Sequence, residues 1–362
     1  MSIEILAQNV RRLRMAKDMS QPCLADIAGL SLPAIKNLEL AKNEPRMRTV
    51  QAIAKALDVR LQELFIPVHE LRTVRFRSEK RMQNRENVLA EVGRWLDDFN
   101  YLEEILDKRI PFSLKPVREQ CSRNDPIEAA GLCRKKLSLI PTGPIHDICG
   151  LLEHAGVKVF PVPMASDSFF GLSVGEEDGG PAVVVNVWER IPVERRIFSA
   201  AHELGHLMLH TDAYDVNQVG ESKQEETEAN RFAGHFLMPN EGFGQEWSDV
   251  AGLHFIDRVL KVKRIFRVSY KTVLSRLIEK DCVNESIWLE FNLAFQQRFN
   301  RKLSFKEEPF GMQRFDFIED RFSRLAKEAV ELDRISLSRG AEMLRISIEE
   351  IQELLQHCEN VR

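Results

Sequence analysis

Residues 202–206 read His-Glu-Leu-Gly-His. On a helix, His202 and His206 lie one turn apart on the same face, so one metal ion can take both imidazoles. Glu203 then stands beside the open coordination position of such an ion. A carboxylate there can take a proton from an attacking water and return it to a leaving group. The pattern therefore points to hydrolysis, with His202 and His206 as metal ligands and Glu203 as the catalytic base. The flanking residues Ala200, Ala201, Leu207, Met208 and Leu209 favour a helix, and Gly205 is the one weak helix former among them.

Catalytic zinc keeps three protein ligands and one open position. The acidic residues Glu225, Glu226 and Glu228 follow at the start of a second helical pattern, in which Ala229, Phe232, Ala233, Phe236 and Leu237 recur at helical spacing until Met238-Pro239. Glu225 and Glu226 fall near the edges of that apolar stripe, and Glu228 points away from it. Glu226 is the preferred third ligand, although spacing leaves the choice among the three open. Asn230, four residues beyond Glu226, is placed to orient a ligand by hydrogen bonding. Glu225 and Glu228 read as an acidic first turn. The expected cofactor is one Zn²⁺ per chain, with Mn²⁺ competing for the same donors. His210 and Tyr214 lie just past the site helix and are candidates to stabilise an oxyanion. His235, off the apolar face of its helix, is expected to face solvent.

The two segments 198–206 and 226–239 resemble the ImmA/IrrE family of metallopeptidases. The resemblance extends upstream to Gly171-Leu172-Ser173 and to the strand-like 182–186, and downstream to 268–277. It implies a zincin-type fold, His202 and His206 as ligands, Glu203 as base, and an acidic ligand from the second helix. It also implies a substrate class, repressors that carry a helix-turn-helix domain. Ser199 stands where Thr is more usual in the family.

A second functional unit occupies the N-terminus. Residues 3–66 read as five short helices. Ser20 and Ser31 suit N-caps, Pro22 suits a first turn, and Gly29 suits the turn between two helices. This pattern resembles the lambda-repressor-like (XRE) helix-turn-helix family along its whole length, which implies that the helix after Ser31 enters the major groove. Base edges are read by Arg, Lys, Asn and Gln, and the start of that helix, Leu32-Pro33-Ala34, offers none. The candidates for DNA contact are Gln21, Lys36 and Asn37. Arg11, Arg12, Arg14, Lys17, Lys42, Arg46 and Arg48 are candidates for phosphates. Ala41 replaces a Gly that the family often carries.

The rest of the chain must hold these two units. Its 362 residues suffice for two or three cores, and a net charge of −4 excludes a general polyanion binder. The six cysteines show no C-x-x-C spacing, which fits reduced thiols in a cytoplasmic protein. No apolar run reaches membrane-span length, and no signal peptide precedes the first helix. A helical period through Val88, Val92, Trp95, Leu96, Phe99, Leu102, Ile105 and Leu106 predicts a connector helix. The basic run Arg72, Arg75, Arg77, Lys80, Arg81 and Arg85 reads as its solvated face. A helix at 145–155 and strands at 157–162 and 182–186 precede the site helix, and a strand at the cleft edge suits an extended peptide. The segment 335–351 has two Ser-capped helices and a tight turn. Its Glu349, Glu350 and Glu353 favour an interaction or regulatory module over DNA binding.

The fold class expected is multidomain and mainly α. It comprises an all-α helix-turn-helix domain at 1–66, a helical connector at 67–118, an α+β zincin-like metallopeptidase domain with a small sheet at 119–295, and a helical C-terminal module at 296–362. The function expected is that of a zinc-dependent endopeptidase controlling transcription by cleaving a helix-turn-helix repressor. Its fused domain would serve DNA binding or partner docking. Double-stranded DNA and a second copy of the chain are further partners this reading allows; a membrane is not. The alternative is a DNA-binding regulator or antitoxin whose zincin domain is a non-proteolytic sensor or partner-binding module.

Overall fold

The computed structural model describes residues 3–17, 19–65, 71, 74–78, 85–121, 125–210, 222–304 and 306–359. The chain divides into two compact units, residues 1–71 with 80–99 and residues 72–79 with 100–362.

In the first unit, α1 (Ile3–Ala16), α2 (Gln21–Ala28), α3 (Leu32–Glu39) and α4 (Met47–Ala56) are followed by a 3₁₀ turn, Leu61–Leu64. Val10, Leu24, Ile35, Leu38, Val50, Ile53 and Leu57 form their shared core. The Ser20 hydroxyl accepts from the Cys23 N–H and the Ser31 hydroxyl from the Ala34 N–H, which starts α2 and α3. Gly29 closes α2 at φ 64°, where a side chain would be strained. Ala41 takes φ 52° without that freedom. The Asn9 amide donates to the Leu64 carbonyl at 3.1 Å and ties α1 to the last turn. The long helix α5 (Arg85–Ile105) follows.

The second unit is built on a four-stranded sheet of β1 (Val74–Ser78), β2 (Lys158–Val162), β3 (Phe169–Val174) and β4 (Ala182–Asn186), in the order β1-β3-β4-β2. β4 runs parallel to β2 and antiparallel to β3, and β1 is antiparallel to β3. β4 is buried at all five residues, as its run Ala-Val-Val-Val requires. The Asn186 amide donates to the Met164 and Phe169 carbonyls, both at 2.9 Å, and so anchors the turn that leads into β3.

One segment differs from the sequence reading. Residues 74–78 were expected in a helical connector, with Arg75 and Arg77 on its solvated face, and they form β1 instead. The reason lies in Val74-Arg75-Phe76-Arg77, where apolar and charged residues alternate with the period of a strand.

The helices of this unit run in chain order: α6 (Lys115–Gln120), α7 (Pro126–Lys136), α8 (Ile148–His154), α9 (Val193–Leu209), α10 (Lys223–Leu237), α11 (Asn240–Asp249), α12 (Phe255–Phe266), α13 (Tyr270–Glu279), α14 (Ile287–Phe299), α15 (Arg321–Glu331), α16 (Leu337–Leu344) and α17 (Ile348–Glu359). α9 is the centre: it packs on β3 and β4 and against α10. At Gly205 α9 and α10 come close together. A Cβ there would lie 3.0 Å from Phe232 Cδ1 and 3.3 Å from Ala229 Cα. Phe232 and Phe236 of α10 are fully buried, which contributes about 2 kcal/mol each. The Arg134 guanidinium donates to the Phe236 carbonyl at 2.7 Å and fixes the end of α10 to α7.

The buried Lys263 donates to Glu194 at 3.0 Å and pairs with Glu308 at 2.9 Å, which locks the start of α9 to α12 and to the segment before α15. The Ser336 cap and the turn at Arg345 (φ 57°) shape the α16–α17 pair expected from sequence.

Candidate metal centre

The site is built by two helices that cross at Gly205. α9 presents His202 and His206, both buried, and α10 presents Glu226. The Nε2 atoms of the two histidines are 2.9 Å apart. Glu226 Oε2 lies 3.3 Å from His202 Nε2, and Oε1 lies 3.1 Å from His206 Nε2. One donor atom from each of the three falls within 4.8 Å of the others, close enough for one ion.

The outer partners decide where the ring protons sit. His202 Nδ1 faces the Asn230 Oδ1 acceptor at 3.0 Å, so this nitrogen carries the proton and Nε2 holds a lone pair. His210 Nε2 is 2.8 Å from Glu228 Oε2 and donates to that carboxylate. Its Nδ1 then accepts from His206 Nδ1 at 2.9 Å, which leaves a lone pair on His206 Nε2 as well. Two imidazole lone pairs and a carboxylate therefore converge. Such a set calls for a positive charge, and nitrogen and oxygen donors of this kind suit zinc. Burial acts to raise the Glu226 carboxyl. Rings protonated toward Glu226 would outweigh it through hydrogen bonds and charge and hold the carboxyl far below the ordinary range; rings that present lone pairs leave that role to a cation.

Glu203 is fully buried and lies against β3. A Cβ on Gly171 would come within 3.1 Å of Glu203 Oε1 and 2.8 Å of the Val184 carbonyl, so only glycine lets the strand pass there. A cavity of about 960 Å³ is lined by Ser199, Thr227 and Asn230 together with Arg195, Lys271, His235 and Arg276, so Asn230 is the residue it shares with the surroundings of the histidines. The Arg195 guanidinium sits 3.7 Å above the Phe170 ring.

Several sequence expectations meet their surroundings here. Glu226 and Asn230 both reach the histidines. Glu225, the other edge candidate, has its N–H capped by Ser222 at the start of α10. Glu228, expected to point away, instead holds His210, the residue that follows the last turn of α9. The signal was available: His202, His206 and His210 repeat at i, i+4 and i+8 on one face. His210 was considered for an oxyanion, but its two ring nitrogens face His206 and Glu228. Tyr214 lies outside the described residues. His235, expected at the surface, is buried, and its Nε2 lies 3.0 and 3.1 Å from the Glu279 oxygens. The apolar stripe of α10 gave no sign of α13, which covers that position and brings in Glu279 and Arg276.

In the N-terminal unit Lys36 is exposed, Asn37 is half-buried, and Leu32-Pro33-Ala34 form the outer start of α3. Gln21 donates to Glu39 Oε2 at 2.7 Å. Arg14 makes a two-pronged bond to the same carboxylate, at 2.6 and 2.9 Å, and also donates to the Met19 carbonyl. These bonds hold Arg14 inside the unit, whereas a phosphate contact needs it outward; no local pattern around Arg14 points to its pairing with Glu39.

The architecture is that of a regulator with a DNA-binding type of domain and a metallopeptidase-type domain. Residues 152–277 match the family model described as Peptidase_M78, the IrrE N-terminal-like domain, and residues 10–64 match the helix-turn-helix family model. The chain thus combines an IrrE N-terminal-like domain with an XRE-type helix-turn-helix, the ImmA/IrrE plus helix-turn-helix arrangement. No curated protein matches it. Among solved structures, ComR from Streptococcus suis aligns over 98% of this chain and 96% of its own at 11% identity, with a TM-score of 0.17, too low to bear on the fold. Among the described residues no helix is long and apolar enough to cross a membrane.

Proposed function

We propose that the chain is a zinc-dependent endopeptidase that controls transcription by cleaving a helix-turn-helix repressor. The observation that carries this reading is the convergence of His202 Nε2, His206 Nε2 and Glu226 on one point, with Glu203 next in the same helix. His202, His206 and Glu226 would hold one Zn²⁺, or Mn²⁺ in its place. The bound ion supplies Lewis acidity for the peptide carbonyl and lowers the pKa of water. Glu203 takes the proton of the attacking water and hands it to the leaving amine. Asn230 holds His202, and His210 with Glu228 holds His206, each in the tautomer that points Nε2 inward.

In this reading residues 1–66 are the helix-turn-helix domain, 67–118 the connector, 119–295 the peptidase domain and 296–362 a C-terminal interaction module. The first domain binds double-stranded DNA, with Gln21, Lys36 and Asn37 as its candidates for base or phosphate contact, or docks the repressor.

The test is zinc per chain together with hydrolysis. Purified protein should hold about one zinc. Glu203→Gln should keep that zinc and lose roughly 10²–10⁴-fold in cleavage rate. Normal cleavage by Glu203→Gln would remove the mechanism. Absence of zinc after zinc is supplied would move the reading to a non-proteolytic regulator.

A further inference from the structure

β3 meets Glu203 through Gly171. One side of β3 pairs with β4. The other side is the edge that a peptide would use to add itself as a strand, a general mode in which backbone hydrogen bonds supply the affinity. That edge is taken by β1.

Three features set β1 apart from the rest of the sheet. It lies outside the span 152–277 that matches the peptidase family model, whereas β2, β3 and β4 lie within it. It comes from the stretch between the helix-turn-helix domain and α5. Its ladder also has a defect beside the base: Phe76 pairs with Leu172, Arg77 with Gly171, and the register shifts between Arg77 and Ser78. A bulge interrupts the ladder and re-aims the backbone at that point. The residue paired with Gly171, the strand position that faces Glu203, is Arg77.

We propose that β1 is the chain's own substrate strand, presented in cis, and that the Arg77–Ser78 peptide bond is the one hydrolysed. This rests on the peptidase reading above. Water supplies the oxygen that bonds to the Arg77 carbonyl carbon, and the carbon–nitrogen bond to Ser78 breaks. Glu203 moves the water's proton to the Ser78 amine. The products are 1–77, with a new carboxylate at Arg77, and 78–362, with a new amine at Ser78. The cut would free the helix-turn-helix domain from its covalent link to the peptidase.

The experiment uses the full chain with zinc, followed by intact mass. The expected result is conversion to 1–77 and 78–362 at a rate per molecule that is unchanged on tenfold dilution, and no conversion in Glu203→Gln. In an antiparallel ladder alternate residues donate to the neighbour, so the double variant Phe76→Pro with Arg77→Pro removes whichever N–H is used. It should slow conversion at least tenfold.

A second readout needs no turnover. In the Glu203→Gln background, amide hydrogen exchange of 169–174 should quicken at least tenfold when the two prolines are added. An intact wild-type chain with one zinc bound would overturn the proposal, as would a cut elsewhere, a rate that scales with concentration, or exchange in 169–174 that ignores the prolines. An intact chain that binds no zinc would instead remove the metal centre itself.

Discussion

Helix α10 carries two histidine–carboxylate clusters, and they are closed in different ways. Toward its start, Glu226 meets His202 and His206 with oxygens and ring lone pairs facing one another. Near its end, His235 meets Glu279, and Arg276 joins them by bonding Glu279 and, at 2.5 Å, Asn240. The second cluster is closed by the protein's own cation. Burial pushes His235 below its ordinary value, and Arg276, whose Nη1 also lies 2.5 Å from His235 Nε2, supplies the charge. The first cluster is arranged to receive a cation from outside. Residue types alone do not separate a metal centre from a buried ion pair; the direction in which lone pairs point does.

Substitutions in the two clusters should therefore part company. The largest effect is expected from His206→Ala or Glu226→Ala, which should lose bound zinc, with affinity falling by more than roughly a hundredfold, beyond what an outer partner costs. Zinc retained at one per chain in both would erase the distinction. Next come His210→Ala and Glu228→Ala. Neither touches the ion in the proposed arrangement, yet each should weaken zinc by roughly 10–100-fold by freeing the His206 tautomer. Equal zinc affinity in these variants and wild type would show that the outer bonds do not matter.

Glu279→Gln should leave zinc untouched and act on stability alone. The hydrogen bond from His235, with the Arg276 charge, holds the Glu279 carboxyl down at about 2 against an ordinary 4.5. Its contribution is thus full above about pH 4.5 and is lost as pH falls through 2. At pH 7 the variant should be less stable by roughly 1–3 kcal/mol, allowing for partial exposure, and the gap should close in acid. Denaturant melts at several pH values measure this.

The smallest effect lies outside the comparison and serves as its control. Ala41 adopts φ 52°, and Ala41→Gly should stabilise the N-terminal unit by about 1 kcal/mol with no change in zinc.

The inner site was readable because its signals are local. His202, Glu203 and His206 stand within about one turn, and one helical period relates Glu226 to Asn230 while leaving the choice among Glu225, Glu226 and Glu228 open. The caps at Ser20 and Ser31 and the turn at Gly29 were equally local. What escaped depends on contacts far apart in sequence. His235 needed α13 for its burial, and Arg14 needed α3 for its pairing with Glu39. β1 was hidden for a different reason: five residues with a strand's alternation lie within a basic run that reads as the solvated face of the connector.

Gly205 has a bearing on which ion is chosen. A Cβ at residue 205 would sit 3.0 Å from Phe232 Cδ1 and 3.3 Å from Ala229 Cα, so a side chain there would push α9 and α10 apart by a few tenths of an ångström. Metal–ligand lengths tolerate only about 0.2 Å. In the proposed centre the helix pair would work as a caliper, with its jaws at His202, His206 and Glu226 and its stop at residue 205. A single methyl at the stop would widen the jaws and shift preference toward a larger ion, without altering any ligand.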